Sequence, residues 1–141
     1  MLQRLIEFAS NHPFLVGAAA LMGIVVIAYE WRARSQSSAS VSPNEAVQLM
    51  NSGAILVDVR SPSDFREGHI QGARNVPGAD IAAGAKTLEK FRDKPVITCC
   101  LSGATSGAAA RELKRQGFTS VSNLRGGLTA WTGDNLPLVK G

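Results

Sequence analysis

Residues 95–106 read PVITCCLSGATS, and the parsing of this stretch decides the fold. Its first half is an uncharged, β-branched run ending in two cysteines, which suits a strand buried on both faces. Its second half is small and hydroxyl-bearing, the composition of a tight loop that leaves a strand and opens a helix. Residues 106–116 continue with Ala108, Ala109 and Leu113 at helical spacing, and Gly117 is a natural stop.

The alternation extends in both directions. Upstream, Ser42, Pro43, Asn44 and Glu45 form a helix start: Ser42 can cap, Pro43 suits the first helical position, and Glu45 can complete a capping box. That helix is expected to run to about Asn51 and to end at Gly53. AILVDVR, residues 54–60, reads as a second buried strand, followed by a short helical turn over 62–66. GHIQGARNVP, residues 68–77, mixes turn residues with a short strand, and a helix is expected around 87–92. Downstream, SVSNL at 120–124 is another strand, Gly126 and Gly127 a turn, and LTAW at 128–131 a last short helix. Strands alternating with helices predict an α/β domain with a central, largely parallel sheet flanked by helices. Ligands of such sheets bind at the carboxyl ends of the strands. The loop after PVITCC is therefore the place to look for chemistry.

Near the N-terminus, residues 14–29, FLVGAAALMGIVVIAY, carry no charge and form a helix about 24 Å long. Pro13 in the first turn, Trp31 at the far interface and snorkelling Arg32 and Arg34 extend it to a bilayer span. A cleaved signal peptide would need small residues directly after the run. The flank here is EWRAR, and the candidate site near Ser38, Ala39 and Ser40 lies beyond two arginines. A core helix of a soluble fold would not be apolar all round and then pass into a polar stretch. One Lys/Arg before the span and two after it favour a single-pass protein of the cell inner membrane with its soluble domain in the cytoplasm. The expected organisation is an anchor over 1–34 with its span at about 13–31, a flexible linker over 35–41, a folded domain over 42–138 and a tail over 139–141.

Composition narrows the classes. With 45% hydrophobic and 18% charged residues, 141 residues suit one ordinary folded domain beside the anchor, neither disordered nor a disulfide scaffold. The net charge of +4 is spread thinly: residues 1–34 hold three Arg against two Glu, and the rest twelve Lys/Arg against nine Asp/Glu. No basic stripe with interleaved aromatics occurs, which argues against nucleic acid as a partner. Cys99 and Cys100, the two cysteines, are adjacent and cannot staple distant parts of a fold. They do not combine with His12 and His69 into a metal-ligand spacing, so no metal is expected.

In the loop itself, several backbone N–H groups should turn toward one point at the start of a helix, and such a point attracts anions. Gly103 and Ala104 let the backbone curl, while Ser102, Thr105 and Ser106 offer hydroxyls. A sulfur centred there would be favoured as the thiolate, the reactive form. Cys99 belongs to the strand and should fill the core. Cys100 begins the loop, faces the other way and is the candidate nucleophile. A cysteine-type phosphatase would place an Arg six positions after its nucleophile, whereas Ser106 stands there relative to Cys100 and Thr105 relative to Cys99. Adjacency alone also raises a vicinal disulfide as a switch.

Together these motifs resemble the rhodanese family, and more narrowly its small single-domain bacterial members with an N-terminal membrane helix. VDVRSPSDFREGHIQGARNVP (57–77) looks like the family's first signature, TCCLSGATS (98–106) like its active-site loop, and NLRGGLTAW (123–131) with NLP (135–137) like its C-terminal signature. The resemblance implies a sulfurtransferase without metal or organic cofactor: a loop cysteine attacks a sulfur donor, becomes a persulfide and passes the outer sulfur to a thiophilic acceptor. Cys100 matches that nucleophile, and the amides of Leu101, Ser102, Gly103, Ala104, Thr105 and Ser106 match its cradle. Asp58 and Arg60 match a strand-end acid and base that brace the domain, and His69 a bracing residue in the GHI turn. Many members carry an Arg or Lys in the loop. Its absence here predicts weak use of the thiosulfate dianion and a persulfide as the better donor. The alternative is a catalytically weak rhodanese-like docking module at the membrane, and an unidentified membrane protein as partner is compatible with both readings.

Overall fold

The computed structural model describes residues 1–36 and 39–141, the side chains of 32–36 excepted. The chain forms two units, Met1–Gln36 and Ser37–Gly141.

The first unit is a pair of helices, α1 (Leu2–Asn11) and α2 (Pro13–Gln36). Sequence reading did not anticipate α1, although Leu2, Leu5 and Ile6 share one helical face. Pro13 separates the two helices: proline disfavours helical backbone in the residue before it, and His12 sits at φ −131°, ψ 57°. Pro13 itself, with no N–H to lose, opens α2. Within α2, Pro13–Trp31 is long and apolar enough to cross a membrane, and its apolar side chains are exposed. The side chains of Arg32 and Arg34, expected to snorkel, lie outside the described residues.

The second unit begins earlier than expected. Of the linker predicted over 35–41, Ser35 and Gln36 continue α2, and Ala39–Val41 form a strand, β1. Ala, Arg and Gln are good helix formers and neither Gly nor Pro halts the helix at Arg34. The strand forms for a tertiary reason: it covers the open edge of the sheet, where backbone groups would otherwise lack partners. Ser37 and Ser38 lie outside the described residues.

After β1 come α3 (Pro43–Asn51), β2 (Ile55–Asp58), α4 (Pro62–Glu67), β3 (Arg74–Asn75) and α5 (Gly78–Ala82). A 3₁₀ helix (Lys86–Phe91), β4 (Val96–Cys99), α6 (Ala104–Arg115), β5 (Val121–Leu124) and α7 (Gly127–Gly133) complete the unit. The capping box at α3 is present in full: Glu45 N–H donates to Ser42 Oγ at 3.3 Å, and Ser42 N–H to Glu45 Oε2 at 2.7 Å. Ser61 caps α4 by the single bond from Asp64 N–H to its Oγ at 3.3 Å. The helix expected over 87–92 is the 3₁₀ segment, and the short α5 before it was not expected.

Among the described residues the strands form a five-stranded sheet in the order β1-β5-β4-β2-β3, parallel throughout. The predicted α/β architecture with a central parallel sheet is thus the observed one. Each face carries its own core. One gathers Val57, Val59, Leu88, Val96, Leu113 and Val121 beneath α6 and the 3₁₀ helix. The other gathers Ala46, Leu56, Ile97, Leu124, Leu128 and Trp131 beneath α3 and α7. Burial on both sides explains why the strands read as apolar runs instead of alternating.

The tail expected over 139–141 is held against the domain. Val139 and His69 exchange backbone hydrogen bonds of 2.8 and 2.9 Å, and Gly141 N–H donates to Arg66 O at 3.1 Å. The unpaired backbone around the GHI turn supplies the partners.

Candidate active site

Because the strands are parallel, their carboxyl ends share one edge, and the chain leaves β4 there at Cys100. Strand alternation sends the two cysteines to opposite faces. Cys99, with no exposure, packs with Leu56, Ile97 and Trp131, whereas Cys100, 5% exposed, packs with Val57, Val59 and Ala109. Both are free thiols. A vicinal disulfide between them would have to turn one buried side chain out of its core. Burial above all, and then the Asp58 carboxylate, push the Cys99 thiol far above the ordinary range. It is an inert core residue.

Around Cys100 the loop closes into a small bowl. Gly103 N–H donates to Sγ at 3.0 Å and Ser106 N–H at 3.4 Å, and Ser106 Oγ lies 3.2 Å from it. Gly103 makes this curl at φ +94°. A side chain there would press against Leu124 O and Gly126 N at 3.2 and 3.3 Å. Its carbonyl then accepts Gly107 N–H at 3.2 Å, so α6 starts two residues before the expected Ser106. Of the six loop residues predicted to cradle the sulfur, Gly103 and Ser106 reach it directly, and Ser102 N–H adds to the field. Leu101, 63% exposed, points away into solvent, and Ala104 and Thr105 are exposed on the first turn of α6. Thr98 Oγ1, buried, donates to Ser106 O at 2.9 Å and ties that turn to β4.

Partial burial works against the thiolate, but the Ser106 hydroxyl and the N–H groups of Ser106, Gly103 and Ser102 outweigh it and hold the Cys100 thiol below its ordinary value. The sign follows directly: a lowered pKa means more thiolate at neutral pH. The midpoint of the pH profile for iodoacetamide alkylation of Cys100 is expected below the ordinary thiol value of about 8.5. Ser106→Ala removes one donor and should move that midpoint upward. An unchanged midpoint would show that the hydroxyl does not act on the sulfur.

Three features of the site were not read from the sequence. The first is the role of Gly126 and Gly127, which read in sequence as a turn. They bring the N-terminus of α7 against the loop, where Leu128 N–H donates to Cys100 O at 2.9 Å and Thr129 N–H and Oγ1 both donate to Leu101 O at 3.0 Å. The second is Asn123, whose Nδ2 donates to Gly103 O at 2.9 Å and whose Oδ1 lies 2.6 Å from Ser106 Oγ. A polar residue inside SVSNL, on the same face as Val121, was the signal available. The third is an open cavity of about 460 Å³ beside the loop, walled by Leu101, Leu128 and Thr129 on one side and by Arg60, Asp64 and Glu67 on the other.

Asp58 and Arg60 do meet. Asp58, wholly buried, accepts from Arg60 Nε at 3.0 Å and Nη2 at 2.7 Å, and Arg60 Nη2 also donates to Gly68 O at 2.7 Å. The hydrogen bonds to Asp58 raise the Arg60 pKa further, so the guanidinium stays charged. It locks the end of β2 to the GHI turn, where His69 Nδ1 bonds Phe65 O at 2.8 Å and the His69 ring stacks on Phe65 at 3.8 Å. Asp58→Ala would strand the guanidinium against the fold, and a loss of about 3 kcal/mol is expected by urea denaturation. Asp58→Asn, which keeps the shape and one acceptor oxygen but loses the charge and the second acceptor, should lose less. Among the described residues no three His, Cys, Asp or Glu side chains gather as a metal-ligand set.

Comparison with known proteins agrees with this geometry. Residues 42–134 match the family model described as Rhodanese-like domain. The chain belongs to the rhodanese-like family. Over its whole length it is similar to the uncharacterized protein YibN of Escherichia coli, at 35% identity covering 99% of both chains. Its rhodanese-like domain is similar to the thiosulfate sulfurtransferase GlpE of Stutzerimonas stutzeri, 37% identical over 64% of this chain and 82% of that one. Among solved structures, a rhodanese-related protein of Thermoplasma volcanium superimposes with a TM-score of 0.66 at 26% identity, covering 73% of this chain and 99% of that one. The rhodanese-like domain is thus established by sequence and fold together.

Proposed function

We propose that this protein is a membrane-anchored sulfurtransferase that carries sulfane sulfur as a persulfide on Cys100. The observation that carries the reading is the bowl: a buried sulfur facing two N–H groups and a hydroxyl, with its thiol below the ordinary value. Such fixed donors hold an anionic sulfur without reorganising, whether it is the thiolate before attack or the persulfide after it.

In the first half-reaction the Cys100 thiolate attacks the outer sulfur of the donor. A sulfur–sulfur bond forms to Cys100, the donor's own bond to that sulfur breaks, and thiosulfate would leave as sulfite. In the second, a thiophilic acceptor takes the outer sulfur and the electron pair returns to Cys100 as thiolate. No net oxidation of the protein occurs over the cycle. Arg60, the cation on the cavity wall, is already committed to Asp58, and Asp64 and Glu67 line the same cavity. This setting supports a persulfide donor over the thiosulfate dianion. Asp58 and Arg60 brace the strand end and do not touch the sulfur. Intact mass of the full chain in detergent should rise by about 32 Da with an organic persulfide, less completely with thiosulfate, and fall back with cyanide. No gain from either donor would leave the docking-module reading in its place.

The anchor is α2. Its apolar, exposed stretch over Pro13–Trp31 supports a single span, and Arg4 before it against Arg32 and Arg34 after it favours the rhodanese-like domain on the cytoplasmic side of the inner membrane. The full chain should remain in the pellet of alkaline carbonate-washed membranes and be released by detergent. Release by carbonate would sink the anchoring proposal.

A further inference from the structure

Asn123 contacts neither of the cysteines, yet it controls the group that does. Its amide orientation is dictated by the loop: Nδ2 faces the Gly103 carbonyl at 2.9 Å, and the flipped amide would set two oxygens against each other. Oδ1 therefore faces Ser106 Oγ at 2.6 Å, and between two oxygens this close one must supply a proton. An amide oxygen has none, so the Ser106 hydroxyl donates. The same Oγ lies 3.2 Å from Cys100 Sγ. A hydroxyl carries a single proton, and two acceptors compete for it.

We infer that Asn123 is a positioning residue that competes with Cys100 for the Ser106 hydroxyl proton while tethering the loop at Gly103. The inference rests on Cys100 being the reacting sulfur proposed above. With the proton shared toward the shorter contact at Asn123, Cys100 receives only part of the hydroxyl's stabilisation, and the thiolate relies mainly on the N–H groups of Ser106, Gly103 and Ser102. The sulfur is then less stabilised than its full set of donors would allow. A less stabilised thiolate is the stronger nucleophile toward another sulfur, because nucleophilicity falls as pKa falls. The other ionisable groups in the surroundings are Cys99 on β4, Asp58 and Arg60 at the end of β2, and Arg111 on α6, whose guanidinium lies beside Gly107. Cys99, Asp58 and Arg60 keep their charges in these variants, and Asn123→Ala, which places no charge beside Arg111, is the decisive one.

The test is the pH profile of iodoacetamide alkylation, localised to Cys100 by peptide mass, on the full chain in detergent. Asn123→Ala frees the hydroxyl for the thiolate and should lower the midpoint by about half a pH unit. In a Ser106→Ala background the same substitution should leave the midpoint where it is. Asn123→Asp retains an acceptor for Ser106 and adds a negative charge, so its midpoint should rise. A residue that merely packs the loop would shift both backgrounds alike or neither. An equal shift in the two backgrounds, an upward shift for Asn123→Ala, or no shift for either variant overturns the inference. Alkylation requires no sulfur donor, so these outcomes are read separately from sulfur loading, whose failure would bear on the carrier role alone.

Discussion

Cys100→Ala is expected to abolish sulfur loading, with the mass gain from a persulfide donor lost and transfer to cyanide reduced by about a thousandfold or more. Cys100→Ser should be equally inactive, because a hydroxyl oxygen cannot carry a sulfane sulfur even with the same donors around it. Cys99 offers no substitute: it faces the opposite core, has no exposure, and burial keeps its thiol protonated. Both variants should remain folded, since the side chain removed is small and sits at the end of its strand. Loading that persists in Cys100→Ala would refute the assignment of the nucleophile.

The second large effect is expected from a residue that touches no substrate. Gly127 has φ +56°, and a Cβ there would collide with the Cys100 carbonyl and lie 2.7 Å from that of Leu101. Those are backbone atoms held by Leu128 and Thr129, so they cannot swing aside as the end of a long side chain would. Gly127→Ala should therefore lower stability by about 3 kcal/mol and the Tm by about 10–20 °C. It should also slow alkylation of Cys100, because the loop's carbonyls must move and its N–H groups with them. Gly133→Ala is the matched control on the same helix: nothing lies within 4 Å of its Cβ position, and the Tm should change by no more than about 3 °C. Similar losses from both substitutions would show that the clamp between α7 and the loop does not bear on stability.

Stability and chemistry meet in this clamp. The bowl around Cys100 is built from backbone, and backbone donors aim at the sulfur only while the carbonyls behind them are fixed. Leu128 and Thr129 fix the first two residues, Asn123 fixes Gly103, and Thr98 fixes Ser106. Each of these partners comes from β4, β5 or α7, so the loop's shape is dictated by its neighbours.

The apolar runs at Ile55–Asp58 and Val96–Cys99, the cap at Ser42 and the stop at Gly117 were legible as local signals, because strand burial, capping and left-handed backbone leave residue-level signatures. From them came the α/β class, the parallel sheet and the choice of Cys100 over Cys99, which needs only the two-residue period of a strand. Tertiary structure decided the rest. Ala39–Val41 is a strand because β5 offers it an edge, not because its sequence favours one. Residues 139–141 are held because the GHI turn leaves backbone partners for them. Asn123 and Gly127 matter because a parallel sheet brings the carboxyl ends of β4 and β5 side by side. A contact between residues seventeen or more positions apart has no signature at either position alone, and it exists only once the sheet has formed.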